Sequence, residues 1–88
     1  LRIFRNPVTY NDLGIVLAEN NQEDEAVTRF RQAIAMVPDY VDAHANLATL
    51  LRTRGELDEA ITHFEEAVRL APDNTDIRSR LEAALTER

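Results

Sequence analysis

The chain has 88 residues, 30% of them charged and 44% apolar, with a formal net charge of −6 at pH 7. That length holds one small domain, and the apolar fraction is too high for a disordered chain; the acidic balance argues against nucleic-acid binding, which needs Lys and Arg on phosphates. Cysteine is absent, so disulfides and thiolate metal sites are excluded.

The elements follow in chain order. Residues 1–6 form a lead carrying Leu1, Ile3 and Phe4, expected either to be the tail of an upstream element or to cover the exposed side of the first helix. Asn6-Pro7 is an N-cap residue followed by proline in a first turn. It opens a helix over 8–20 with Leu13, Val16 and Leu17 at helical spacing. Asn21 takes the left-handed position after it. A second helix, 23–37, carries Ala26, Val27, Phe30, Ala33, Ile34 and Val37 and stops at Pro38. The third, 41–54, carries Ala43, Leu47, Leu50 and Leu51 and is broken by Gly55. The fourth, 57–71, carries Ala60, Ile61, Phe64, Ala67, Val68 and Ala71 and stops at Pro72. The last, 75–87, turns Ile77, Leu81, Ala84 and Leu85 inward and Arg78, Glu82 and Glu87 outward, as a solvating cap does. Asp24 and Asp58 complement the helix dipole in the first turns, and Glu25–Arg29 and Glu65–Arg69 are expected i,i+4 pairs.

A shift of 34 residues lays the sequence on itself without a gap. Leu13 meets Leu47 and Leu81, Leu17 meets Leu51 and Leu85, and Asp24-Glu25-Ala26-Val27 meets Asp58-Glu59-Ala60-Ile61. The chain therefore divides into the lead (1–6), two units (7–40 and 41–74) and a half-unit (75–88).

At six positions in both units the sequence resembles the tetratricopeptide repeat family. That family's Leu, small residue, Ala, aromatic, Ala and Pro are matched by Leu13, Gly14, Ala26, Phe30, Ala33 and Pro38. They are matched again by Leu47, Ala48, Ala60, Phe64, Ala67 and Pro72. The resemblance implies an all-α fold: a right-handed α-solenoid of antiparallel helix pairs, two repeats plus a C-terminal capping helix. Small Gly14 or Ala48 would face Ala26 or Ala60 where two helices approach closely. The half-unit departs from the pattern, with Glu82 at the small position, where a packed second helix would impose a large desolvation cost.

Candidate chemistry is sparse. His44 and His63, the only histidines, lack zinc-type spacing and read as partly exposed packing residues. The two glycines stand 41 residues apart, so no phosphate-cradling loop exists. No catalytic residue, metal ligand or cofactor is expected. No apolar run approaches the roughly 20 residues that cross a bilayer, and no signal peptide is visible. The expected setting is soluble and cytoplasmic, without membrane insertion. Leu1 in first place leads us to expect a piece of a longer protein.

In tetratricopeptide arrays the first helix of each pair lines a concave groove. By that resemblance Asn11, Ile15, Asn46, Thr49, Arg52, Asp76 and Arg80 are the candidate peptide-binding residues. With the other groove positions, Asp12, Glu19, Asp42 and Glu87 among them, this surface sums to −3. The family's carboxylate clamp for acidic chaperone tails wants Lys where Asn11 and Asp76 stand and Asn where Ile15 stands; only Asn46 and Arg80 match. The expected function is a non-catalytic protein–protein interaction scaffold holding a neutral to basic extended peptide or partner protein. The alternatives are a structural spacer or self-association module, joined through the N-terminal end, and the accessory part of a larger enzyme such as a transferase.

Overall fold

A computed structural model describes residues 5–88. Five helices follow one another: α1 (Pro7–Glu19), α2 (Glu23–Met36), α3 (Val41–Thr53), α4 (Leu57–Leu70) and α5 (Thr75–Glu87). No strand occurs among the described residues. Every boundary lies within one residue of the expected one. The expected fold class, an all-α solenoid of antiparallel helix pairs, is the observed one. α1 packs on α2 and α3 on α4; α2 meets α3, and α4 meets α5. Successive hairpins stack into an elongated body of 45 × 26 × 17 Å.

The boundaries have local causes. Asn6 Oδ1 accepts from the Thr9 N–H at 2.8 Å, with Pro7 at the start of α1. Asn21 (φ 62°) and Gly55 (φ 82°) are left-handed. Each ends its helix in a Schellman turn, with Gln22 N–H bonding Leu17 O at 2.8 Å and Glu56 N–H bonding Leu51 O at 2.9 Å. Asn74 Oδ1 caps α5 by accepting from Ile77 N–H at 3.1 Å.

Small residues let the helices close on one another. Ala26, Ala33, Ala48, Ala60 and Ala67 are fully buried, and Phe30 and Phe64 fill the space between. At Gly14 the neighbour differs from expectation: the space a Cβ would need is taken by the Phe30 ring, at 2.6 Å, rather than by Ala26. Among the described residues, four salt bridges join successive units: Arg31–Glu59 (2.7 Å), Arg54–Asp24 (3.0 Å), Arg52–Glu87 and Arg88–Asp58 (3.9 Å).

Some expected contacts are not made. Leu13 is 39% exposed although Leu47, its counterpart, is fully buried. Val16 is exposed with it, because nothing among the described residues packs on the upstream side of α1. The expected covering segment, Leu1, Ile3 and Phe4, lies outside the described residues. Leu85, expected inward, is exposed; α5 buries Ile77 and Ala84 against its neighbours, and Leu85 falls beyond that contact. Neither expected i,i+4 pair forms: Arg29 donates to Gln32 at 3.0 Å, and Arg69 turns to Glu66, one residue nearer than Glu65 would require.

Candidate functional site: the concave groove

α1, α3 and α5 contribute to one concave side, which holds two adjoining hollows. The first, of about 300 Å³, has carboxylates from all three helices, Asp12, Asp42 and Asp76, around Ile15 and Ile77. The second, of about 390 Å³, is lined by Ile15, Ala18, Phe30 and Leu50 together with polar residues that include Glu19 and Glu23. Ile15 and Asn46 line both hollows.

Of the expected groove residues, Asn11, Ile15, Asn46, Asp76 and Arg80 line the acidic hollow, and Thr49 joins Ile15 and Asn46 in the apolar one. Arg52 lines neither; its guanidinium is spent on Glu87 of α5, with Nε at 2.9 Å from the carboxylate. That bond holds the Glu87 carboxyl below the ordinary carboxylate range. Arg80 pairs with Asp76 at 2.8 Å and reaches Thr49 Oγ1 at 3.3 Å. Asn11 is only 5% exposed, so it supports the groove wall rather than offering a surface contact. Its Oδ1 accepts from Asn46 Nδ2 at 3.1 Å. An amide has two N–H donors and an oxygen acceptor, so Asn46 keeps further bonding capacity.

These pairings redistribute the charge. Arg80 offsets Asp76 and Arg52 offsets Glu87, while Asp12, Asp42 and Glu19 have no cationic partner among the described residues. Their field is felt nearby. The Tyr40 hydroxyl is pushed above its ordinary pKa by burial, then by Asp42 and Asp12, against the opposing hydrogen bond from Asn11.

A second polar cluster lies where the two hairpins meet. His44, expected to be partly exposed, is 5% exposed, and its Nδ1 stands 3.0 Å from His63 Nδ1. His44 Nε2 stands 2.8 Å from the Pro38 carbonyl oxygen, which can only accept, so this nitrogen carries a proton. In neutral His44 the Nδ1 is then an acceptor, and His63 Nδ1–H must be its donor. His63 Nε2 is left 3.5 Å from the Glu59 carboxylate, which Arg31 already holds at 2.7 Å and keeps below its ordinary pKa. Burial, and next the His44 ring, lower the His63 pKa. Among the described residues no group of three or more His, Asp or Glu has the geometry to hold a metal ion.

Sequence reasoning missed the Phe30 ring as part of a hollow, since an aromatic at helical spacing reads as core. It also missed the histidine contact. The sequence carried no signal for that contact, which depends on how α3 crosses α4.

Comparison with known proteins bears on this fold. A family model described as tetratricopeptide repeat matches residues 11–75. The crystal structure of MamA superposes with a TM-score of 0.90 at 23% sequence identity, covering 94% of this chain and 48% of that one. The chain thus spans about half the length of that structure, and at this identity the likeness speaks to the fold alone. No curated protein matches. No described helix is long and apolar enough to cross a membrane.

Proposed function

The chain belongs to the tetratricopeptide repeat family, and we propose that it is a non-catalytic scaffold whose concave side holds a neutral to basic extended segment of a partner protein. Its working units are 7–40 and 41–74, closed by 75–88. The observation that supports this reading best is the concavity walled by α1, α3 and α5, where Asp12 and Asp42 have no cationic partner among the described residues. A carboxylate-rich tail entering there meets like charge, which excludes wrong partners and slows encounter.

The test is a titration of one basic and one acidic peptide of equal length at two salt concentrations. The basic peptide should bind, more weakly as salt rises; micromolar binding of the acidic peptide, or no binding of either, would overturn the reading. Asp76→Lys removes the partner of Arg80 and should relax the rejection of acidic tails. Asn46→Ala should lower affinity by about 0.5–1.5 kcal/mol, the scale of one neutral hydrogen bond. The same change leaves the buried Asn11 oxygen unpaired, so stability must be measured beside affinity.

A second reading, self-association through the N-terminal end, is favoured by the exposure of Leu13 and Val16 on the upstream face of α1. Sedimentation across a concentration range, with and without residues 1–6, tests it; an unchanged monomer in both cases would remove it.

A further inference from the structure

The two hollows differ in chemistry, and their adjacency sets a spacing. The more apolar one is lined by Ile15, Ala18, Phe30 and Leu50, with Ile15 37% exposed, and Glu19 and Glu23 also belong to its lining. The acidic one holds Asp12 and Asp42, neither of which has a cationic partner among the described residues. From α1 the acidic hollow takes Asn11, Asp12 and Ile15, while the apolar hollow takes Ile15, Ala18 and Glu19. The two sets are centred nearly five residues apart on the helix, about 7 Å at 1.5 Å per residue. The contributions of α3 are displaced by a similar length: Asp42, Ala45 and Asn46 against Asn46, Thr49, Leu50 and Thr53. An extended chain covers about 7 Å in two residues, and its side chains i and i+2 point to the same side.

We propose, resting on the groove-binding reading above, that the groove is specific for an extended segment with a large apolar side chain at one position and Lys or Arg two residues away. The apolar side chain occupies the Ile15–Ala18–Phe30–Leu50 hollow, and the cation lies over Asp12 and Asp42. Asn46 lines both hollows and so stands at their boundary, where the backbone of the intervening residue passes. Its spare amide capacity matches a peptide group there. The apolar hollow supplies contact area without direction, and the carboxylates supply the discrimination. Neither feature alone specifies a partner; their fixed separation does.

Five Gly/Ser-based nonapeptides of one length test this by amide NMR titration and fluorescence anisotropy. One carries Leu-Ser-Arg, one Ala-Ser-Arg, one Leu-Ser-Ser and one Leu-Ser-Glu; the fifth places Leu and Arg five residues apart. Leu-Ser-Arg should bind tightest and shift the Ile15, Ala18, Asn46 and Thr49 amides. Removing the leucine should weaken it about tenfold or more, the scale of one buried aliphatic side chain. Removing the arginine should weaken it several-fold at low salt and less at high salt. Asp12→Asn with Asp42→Asn, at exposed positions, should erase the preference for arginine while leaving that for leucine. Equal affinity across the panel, with groove amides shifting, would overturn the spacing and leave groove binding standing. No groove shift with any peptide would overturn groove binding and this inference with it. Groove amides that move with protein concentration alone would make a second copy the occupant and overturn the inference.

Discussion

Gly14→Ala is the most informative single change, because the structure gives opposite signs to its two effects. A Cβ on Gly14 would stand 2.6, 2.7 and 2.9 Å from three atoms of the Phe30 ring. Carbon atoms rest at about 3.5–4.0 Å, so the ring must retreat by about 1 Å. Alanine is preferred to glycine inside a helix by about 1 kcal/mol, and overpacking of a filled core costs about 1–3 kcal/mol. With Phe30 only 2% exposed, overpacking should win, by about 1 kcal/mol after the helix gain is subtracted. In a domain of this size that lowers Tm by roughly 4–8 °C. The room open to the ring is the apolar hollow it lines, so the same change should shrink that hollow. Thermal and urea denaturation followed by circular dichroism measure the cost. In a Phe30→Leu background the substitution should become neutral or stabilising, since the obstructing ring edge is gone. A Tm at or above the parent's, or an equal cost in both backgrounds, would refute the reasoning.

Phe64→Ala, at a fully buried ring, should cost about 3–5 kcal/mol by opening a cavity, and Ala60→Leu about 1–3 kcal/mol by overpacking; parental melting of either would overturn the hairpin packing. Gly55→Ala should cost about 1–2 kcal/mol from backbone strain alone, since nothing lies within 4 Å of the added Cβ, whereas Asn21→Gly at the matching turn should cost nothing or stabilise; denaturant midpoints compare the two. Burial and the His44 ring hold His63 below its ordinary value of 6.5, so the unfolded chain takes up the proton first. Stability should therefore be full above pH 6.5 and decline as the pH falls toward and through the folded value, with a slope from this group of at most about 1.4 kcal/mol per pH unit. Urea midpoints between pH 7.5 and 5.5 should show this slope, and His63→Gln should remove it; an identical slope in the variant would refute the assignment.

What was legible in the sequence is what depends on the backbone nearby. Asn6, Asn21, Gly55, Pro38 and Pro72 each act within one helical turn, so their residue type alone marks an end. The period of 34 residues then fixes which helices are equivalent, and with them the groove's register. Side-chain pairing was less accessible. Arg29 and Arg69 each had carboxylates within reach along the helix, and long side chains choose among neighbours by what the facing helix leaves open. The small size of Gly14 signalled a close approach, but the obstacle proved to be a ring sixteen residues on, not the alanine twelve residues on. His44 reads as a packing residue because its meeting with His63 depends on how α3 crosses α4.

The groove's polar bonds follow a rule that the repeat period alone does not state. Asn11 meets Asn46, and Arg52 meets Glu87; both pairs are separated by 35 residues, one more than the period. Thr49 and Arg80 are separated by 31, which is one helical turn less than 35. Stacking rotates each hairpin against the last, so the side chain facing a given residue is not its exact counterpart in the next unit. It is the neighbour one residue on, or the one a turn before it. Shifting the sequence by 34 aligns equivalent residues and is blind to these partners; shifting it by 35 sets an amide beside an amide and an arginine beside a carboxylate. The same offset bears on the groove's charge. It hands Arg52 to Glu87, while Arg80 turns within its own helix to Asp76, so both guanidinium groups are occupied. Asp12 and Asp42 are left to face whatever enters between the helices, and the selectivity proposed for this surface rests on that residue-level accounting rather than on the net charge of the chain.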